Sequence, residues 1–219
     1  MVKIKRSFPA PESLSIESKK ATGSYEKPDV VSRLQKDFYN KCYICELKDL
    51  QDPQVEHLLP HKNGRYIERK FDWNNLFWSC GHCNNIKNQQ KYDEGIIDCC
   101  RSDPEMRLIF QQKDGNVVIY PKDPYDEEAS KTADLIFEVF NLTNTGMRTY
   151  KSAMRYEELT KEMNLLYDNL QSYRKNPGSR YVHRKLKALL RRESAFAAFK
   201  RGYVRAHSKE FSELQIYVQ

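Results

Sequence analysis

Residues 80–88 read CGHCNNIKN, and the cysteine pair at their start repeats a pattern found earlier, at residues 42–45, as CYIC. Each pair has Cys-x-x-Cys spacing, and 34 residues separate the two pairs. Four thiolates arranged in this way are typical of a closed tetrahedral zinc site. The separation exceeds that of the commonest paired-cysteine ribbons, so we expect zinc to close the base of an inserted unit that carries the functional residues. The predicted structural zinc ligands are Cys42, Cys45, Cys80 and Cys83.

Other interpretations of the six cysteines are weaker. The cysteines cluster between residues 42 and 100, whereas a secreted disulfide framework would spread them over the fold. Cys99 and Cys100 are adjacent, and adjacent cysteines rarely bind one metal together, so we interpret them as buried thiols. A redox sensor is disfavoured because the paired spacing favours metal binding.

The inserted unit contains VEHLLPH, residues 55–61, in which a glutamate precedes two histidines four residues apart. In the zinc-protease helix the glutamate lies between the histidines, and here Pro60 precedes the second histidine, so such a helix is not expected. The stretch is predicted as a strand that the proline ends. Glu56 then offers a hard oxygen ligand, and His57 offers an imidazole that can accept a proton near neutral pH. These two groups are suited to metal-assisted hydrolysis.

The second half of the site is predicted to come from residues 73–88, WNNLFWSCGHCNNIKN. The polar candidates in this segment are Asn74, Asn75, His82, Asn84 and Lys87. Because the segment contains the second cysteine pair, a shared zinc ion would hold it close to the first pair. We therefore expect the zinc to bring both halves of the site together. His61 is interpreted as a loop residue without an assigned role.

The net charge of +7 is concentrated in the last third of the chain. Residues 146–219 contain sixteen Lys and Arg against seven Asp and Glu, a net charge of +9. This density favours a phosphate-rich partner, and the alternative is a solvated helix face. The candidate nucleic-acid contacts are Arg184, Lys185, Lys187, Arg191, Arg192 and, inside the second cysteine pair, His82. No apolar run is long enough for a membrane span, so we expect a cytoplasmic protein without membrane contact.

The predicted fold class is α+β, with a small zinc-stapled core in a mostly helical chain. Residues 1–27 are predicted as an extended arm, either lying across the fold or mobile, and residues 28–100 as the zinc-stapled domain with a preceding helix. Residues 101–125 are predicted as a β-hairpin connector around Asp114-Gly115-Asn116. Residues 126–219 are predicted as a basic helical region, in which the third helix runs without interruption from about Arg180 to Tyr203.

Taken in order, CYIC, VEHLLP, NNL and CGHCNNIK resemble the zinc-stapled HNH endonucleases, whose active site is a ββα-metal fold. The resemblance covers residues 41–88. It implies that Glu56 occupies the position of the usual metal-binding aspartate and that His57 is the general base. It also implies that Asn75 braces the loop, that Asn84 completes the metal site, and that Lys87 contacts the scissile phosphate.

The reaction implied by this resemblance is phosphodiester hydrolysis with one divalent cation, Mg²⁺ or Mn²⁺, and with 5′-phosphate products. His57 would take a proton from water while the cation stabilises the charge that develops on the phosphate and on the leaving 3′ oxygen. The expected substrate is DNA, with RNA as the alternative.

A narrower resemblance extends over more of the chain. GSYEKPDVVSRLQKDFYNKCYICE, EGIIDCC and the basic helical tail are similar to the HNH subunits of bacterial anti-phage systems of the Septu type, including retron-associated ones. Those subunits work beside an ATPase partner. The resemblance implies that the helical region docks such an ATPase or holds the nucleic acid. Two non-catalytic alternatives remain, a zinc-stapled nucleic-acid-binding module and a protein-docking adaptor.

Overall fold

The computed structural model describes residues 1–143 and 145–219, without the side chain of Arg148. The chain is mixed α and β, as the sequence predicts. The strands are β1 Pro53–His57, β2 Leu76–Cys80, β3 Leu108–Lys113 and β4 Asn116–Pro121. The helices are α1 Glu12–Glu17, α2 Pro28–Asp37, α3 Ile67–Lys70, α4 Gly81–Lys87, α5 Pro104–Arg107, α6 Glu127–Asn141, α7 Gly146–Lys175, α8 Arg180–Leu189 and α9 Ala197–Ala206.

Strands β1 and β2 form an antiparallel pair in which His57 lies opposite Leu76 and Pro53 lies opposite Cys80. Every residue of β2 is buried, which is expected for a short strand covered on both faces. Helix α4 begins at the residue after β2 and packs against both strands and against α6. The order β1, β2, α4 therefore places the end of β1 beside α4.

Strands β3 and β4 form the predicted hairpin. Its turn is Asp114-Gly115, where both residues have positive φ, as a type I′ hairpin turn requires. Along β3 buried Leu108 and Phe110 alternate with exposed Ile109, so one face lies on the core. That face packs against α9, while β4 packs against α6.

Local sequence explains the start of the main helices. Pro28 occupies the first turn of α2, and Val30 and Leu34 lie on its buried face. The Asp126 side chain caps α6 by accepting a hydrogen bond from the Ala129 backbone N–H at 3.0 Å. The Ser179 hydroxyl caps α8 in the same way.

The N-terminal 27 residues lie across the fold and are not purely extended. Met1, Val2 and Ile4 are buried, and the segment contains α1. The Arg6 guanidinium donates to the backbone carbonyls of Trp73 at 2.7 Å and of Leu76 at 2.8 Å. These long-range bonds attach the segment to the start of β2.

The prediction of one continuous helix from about Arg180 to Tyr203 is wrong, because residues 190–196 separate α8 from α9. The Lys41 ammonium donates to the carbonyls of Arg192 at 2.6 Å and Ser194 at 3.0 Å. The Glu46 carboxylate accepts from the Ala198 N–H at 2.9 Å and thereby caps α9. Lys41 and Glu46, which flank the first cysteine pair, thus stabilise a break in a sequence whose local composition favours helix. An analysis of one segment at a time cannot detect partners so distant in sequence.

Candidate metal centre and adjoining cleft

The two Cys-x-x-Cys pairs form one buried cluster. The Sγ atoms of all four predicted cysteines lie within 4.8 Å of one another, and the Cys45 and Cys80 sulfurs are 4.0 Å apart. Tetrahedral zinc with Zn–S bonds of about 2.3 Å places its sulfur ligands about 3.8 Å apart. The cluster can therefore hold a metal ion such as zinc. It fastens the segment before β1 to the end of β2 and to the first turn of α4.

Arg155 of α7 also reaches this cluster, although the sequence patterns did not indicate it. The Arg155 side chain is buried, and its Nη2 lies 3.0 Å from the Cys80 sulfur. Burial alone would lower the pKa of Arg155, but the surrounding cysteines raise it, so the guanidinium stays charged. The contact joins α7 to the cluster and offsets the negative charge that four thiolates bring to a buried site.

His57 lies at the end of β1 with one ring nitrogen already engaged. Its Nε2–H donates to the Lys70 carbonyl oxygen at 3.1 Å, because a carbonyl oxygen can only accept. This assigns the hydrogen to Nε2 and leaves Nδ1 as a proton acceptor. The rings of Tyr25 and His61 contact His57 edge to face, at centroid distances of 4.5 and 4.8 Å. Burial lowers the pKa of His57 to about 4, so its imidazole is neutral at neutral pH.

Glu56, the preceding residue, is only 5% exposed. Its Oε1 lies 2.7 Å from the Lys87 ammonium, whereas its buried Oε2 has no hydrogen-bond partner among the described residues. Burial raises the pKa of Tyr43, and the nearby Glu56 carboxylate raises it further. The Tyr43 hydroxyl nevertheless makes no hydrogen bond of regular geometry. Glu56 therefore presents one buried carboxylate oxygen, Oε2, which makes no hydrogen bond of regular geometry within the described chain and has the Tyr43 hydroxyl as its polar neighbour.

Lys87 faces inward, which conflicts with the prediction that it contacts a scissile phosphate. In addition to the Glu56 ion pair, its Nζ donates to the carbonyls of His57 at 3.0 Å and Leu58 at 2.9 Å. These contacts use the three hydrogens of the ammonium group. The physical reason is that a buried carboxylate needs a counter-ion, and α4 supplies it. Lys87 thus joins α4 to the end of β1.

The two predicted asparagines occupy different environments. Asn75 is buried, and its Oδ1 accepts from the Leu59 N–H at 2.8 Å while its Nδ2 donates to the carbonyls of Leu59 at 2.8 Å and Arg69 at 3.0 Å. It therefore ties together the loop that supplies the Lys70 carbonyl. Asn84 lies on α4, where its Nδ2 donates to Gln54 Oε1 at 2.6 Å.

A cleft of about 700 Å³ brings most of the predicted catalytic residues together. Its lining includes Glu56, His57, His61, Asn84 and Lys87. His61 was not assigned a role from the sequence. Its Nδ1 accepts from the Gly64 N–H at 3.2 Å, which leaves Nε2 to carry the ring hydrogen.

His82, which the sequence predicts as a nucleic-acid contact, lies in the interior between α4 and α6. His82 is 3% exposed, and its Nε2–H donates to the Val139 carbonyl at 3.0 Å. Burial, together with the charge of Arg155, lowers the pKa of His82 to about 4. His82 therefore packs α4 against α6 and is not available to a surface ligand.

The basic residues of the C-terminal region fall into two groups. Four of the predicted nucleic-acid contacts are exposed, namely Arg184, Lys185, Lys187 and Arg191. The fifth, Arg192, pairs with Asp103 at 2.7 Å and with Glu105 at 3.5 Å. Lys200 and Arg201 are buried, and they pair with Glu162 and Glu105, respectively. Part of the positive charge counted from the sequence therefore stabilises the fold.

No protein-family model matches the chain, and a search of curated proteins gives no match. Within residues 1–143 and 145–219, no helix combines the length and apolar character required to cross a bilayer.

Proposed function

We propose that this chain is an HNH-type endonuclease that hydrolyses phosphodiester bonds of nucleic acid, DNA in the first place. The observation that carries the proposal is the pair of adjacent residues at the end of β1. Glu56 has a buried carboxylate oxygen that makes no hydrogen bond of regular geometry among the described residues, and His57 has one ring nitrogen fixed by a carbonyl and the other left to accept a proton. Both residues line the cleft beside α4.

The donor atoms suit a hard divalent cation such as Mg²⁺ or Mn²⁺. Glu56 Oε2 and the Asn84 side-chain oxygen would hold it, since Asn84 uses its Nδ2 toward Gln54. A cation bound there would supply Lewis-acid stabilisation to the phosphate and the leaving oxygen. Lys87 holds the other Glu56 oxygen and so fixes the orientation of the carboxylate.

The chain's own residues would prepare the attacking water. His57 is neutral at neutral pH, so Nδ1 can take the water proton without first losing one. The Lys70 carbonyl then stabilises the imidazolium through the Nε2–H bond and prevents the ring from turning. Asn75 holds the backbone on both sides of this arrangement, at Leu59 and at Arg69. Asn75 is thus a positioning residue.

The proposed setting is anti-phage defence beside an ATPase partner. Its support is the likeness of residues 23–46, 94–100 and the basic tail to Septu-type HNH subunits. A second candidate function is a nucleic-acid-binding module without catalysis. The four exposed cations Arg184, Lys185, Lys187 and Arg191 favour this alternative, because they would bind phosphate whether or not the cleft is catalytic.

The test compares zinc-loaded protein with His57→Ala on plasmid, single-stranded DNA and transfer RNA, with Mg²⁺ or Mn²⁺. We expect the variant to lose at least about a hundredfold in cleavage rate, which is the usual contribution of a general base. Zinc content and melting temperature should stay at the wild-type values. The matched control is His207→Ala, which removes an exposed histidine whose Nδ1 bonds to the Tyr203 carbonyl.

Equal cleavage by wild type and His57→Ala would reject His57 as the base. If neither protein cuts, even with an ATPase partner present, the nuclease proposal fails. Retained oligonucleotide binding in that case would favour the non-catalytic module.

A further inference from the structure

A second cleft of about 530 Å³ lies on the N-terminal segment, apart from the cleft at His57. Residues 3–6 and 100–101 form much of its wall, and Phe8, Asp98 and Arg192 border it. Its charged lining is strongly unbalanced. The cations are Lys3, Lys5, Arg6, Arg101 and Arg192, and Asp98 is the acid that lines it.

Three of these cations are engaged within the protein. Lys3 donates to the Cys100 carbonyl at 2.9 Å, Arg6 is buried against the Trp73 and Leu76 carbonyls, and Arg192 pairs with Asp103. Lys3 and Arg6 still contribute positive potential from fixed positions, whereas the charge of Arg192 is offset by Asp103 and Glu105.

The other two cations are available to a ligand. Lys5 and Arg101 are exposed and form no ion pair with any described residue. The Asp98 carboxylate accepts hydrogen bonds from the backbone N–H groups of Cys100 and Arg101, so it is directed into its own turn. Two exposed positive groups without ion-pair partners therefore line a cleft that Lys3 and Arg6 also make positive, which is a suitable environment for phosphates.

Phe8 adds an aromatic surface at the same place. Its side chain is 65% exposed, whereas Phe38 and Phe77 beneath the N-terminal segment are buried. Most of the Phe8 ring is thus accessible to a ligand that approaches the cleft. An exposed ring beside cations is the arrangement that proteins use to stack an unpaired base while the flanking phosphates are neutralised.

The cleft borders the segment that follows the exposed basic residues of α8, and its floor is bonded to the strand opposite His57. Arg192 borders it, and exposed Arg191 precedes Arg192 directly after α8. At its floor, Arg6 bonds to the Leu76 carbonyl, and Leu76 is the cross-strand partner of His57. The second cleft and the end of β1 thus lie at the same end of the β1–β2 ladder.

We propose that this cleft binds a single-stranded segment of nucleic acid, with phosphates at Lys5 and Arg101 and a base stacked on Phe8. The inference deepens the proposed nuclease function by assigning a strand-holding surface outside the catalytic cleft. A single strand is favoured over a duplex because only an unpaired base can present its face to Phe8.

The test measures binding of a fluorescent oligonucleotide by anisotropy, in a series of KCl concentrations. The full zinc-loaded chain is used without added Mg²⁺ or Mn²⁺. In the double variant Lys5→Glu/Arg101→Glu we expect Kd for single-stranded DNA to rise at least about tenfold. The slope of log K against log salt should fall by about 1.4, since each lost single-strand phosphate contact removes about 0.7. The charge-matched control is Lys19→Glu/Lys209→Glu, two exposed lysines elsewhere, which should change Kd less than about twofold.

Stacking is tested with Phe8→Ala, which should weaken single-strand binding about tenfold and duplex binding less than about twofold. Its control is Tyr125→Ala, which removes a tyrosine that is 90% exposed. The proposal is overturned if the cleft variants bind like wild type, or if both charge-reversal pairs weaken binding equally. It is also overturned if the cleft variants lose only an ATPase partner while oligonucleotide binding stays intact. Because binding is measured under conditions without cleavage, its outcome does not depend on whether the His57→Ala experiment supports the nuclease proposal.

Discussion

The two β-hairpins of this protein are stabilised in different ways. Strands β3 and β4 are joined by the turn Asp114-Gly115 and alternate buried and exposed residues, whereas β1 and β2 are separated by residues 58–75 and β2 is buried throughout. The β1–β2 pair is closed at its base by the four-cysteine cluster. The β3–β4 pair is held by apolar packing against α6 and α9.

Each hairpin nevertheless uses an asparagine as a backbone clamp. Asn75 exchanges hydrogen bonds with both backbone groups of Leu59 and donates to the Arg69 carbonyl. Asn141 does the same with Val117 and donates to the Phe137 carbonyl. The long irregular loop between β1 and β2, which cannot build a core of its own, therefore depends on the cysteine cluster and on directed polar contacts. That loop also carries the groups around His57.

The largest expected effect is loss of the cluster in Cys83→Ser. Structural zinc contributes roughly 10 to 16 kcal/mol to small zinc domains, so the β1–β2 unit should unfold without it. We expect zinc, measured by mass spectrometry, to be lost. Hydrogen exchange should show lost protection in β1, β2 and α4, and retained protection in β3 and β4.

The control for this change is Cys100→Ser, which alters a half-buried cysteine outside the cluster. Zinc content and exchange should match the wild type. Full zinc occupancy in Cys83→Ser, or equal loss of zinc in both variants, would contradict the assignment of the ligands.

The next largest effect is expected in the other hairpin, from Phe110→Ala. Phe110 is buried with its ring 5.4 Å from that of Phe199, and truncation of a buried phenylalanine costs about 3 to 5 kcal/mol. Denaturant unfolding should show this loss while zinc content remains unchanged. Ile109→Ala, at the exposed neighbouring position, should cost less than about 1 kcal/mol. Zinc loss in Phe110→Ala would mean that the two hairpins are not stabilised independently.

The sequence predicted local features well and distant contacts poorly. The cysteine spacing predicted the cluster, and the Asp-Gly turn between β-rich runs predicted the β3–β4 hairpin, because both depend on residues close together in the chain or on a recognisable pattern. Arg155 and the break between α8 and α9 were missed, since each depends on contact with the cysteine segments from far along the chain. His82 was assigned to the surface because its motif gives no sign of α6 packing over it.

A smaller effect is expected from the two asparagine clamps. Asn75→Ala and Asn141→Ala each leave backbone groups without partners, which costs about 1 to 3 kcal/mol. Only Asn75→Ala should also lower the rate of nucleic-acid cleavage, because it releases the loop that holds His57 through the Lys70 carbonyl. The comparison needs urea unfolding and cleavage assays on both variants. Equal cleavage by the two would show that the Asn75 clamp is structural only.

The smallest losses of stability are expected from replacing one glycine in the connection of each hairpin. Gly115 and Gly64 both have positive φ, at 77° and 91°, and no heavy atom lies within 4 Å of an added Cβ at either position. Alanine should therefore cost about 1 kcal/mol at each site, through backbone strain alone. Gly115→Ala should leave cleavage unchanged. Gly64→Ala should alter it, because the Gly64 N–H bonds to His61 Nδ1 and a shift of that turn moves His61 within the cleft. If the two variants lose equal stability but only Gly64→Ala changes the cleavage rate, then cleavage depends on the β1–β2 loop. If both variants cleave at the same rate, the position of His61 does not contribute to cleavage.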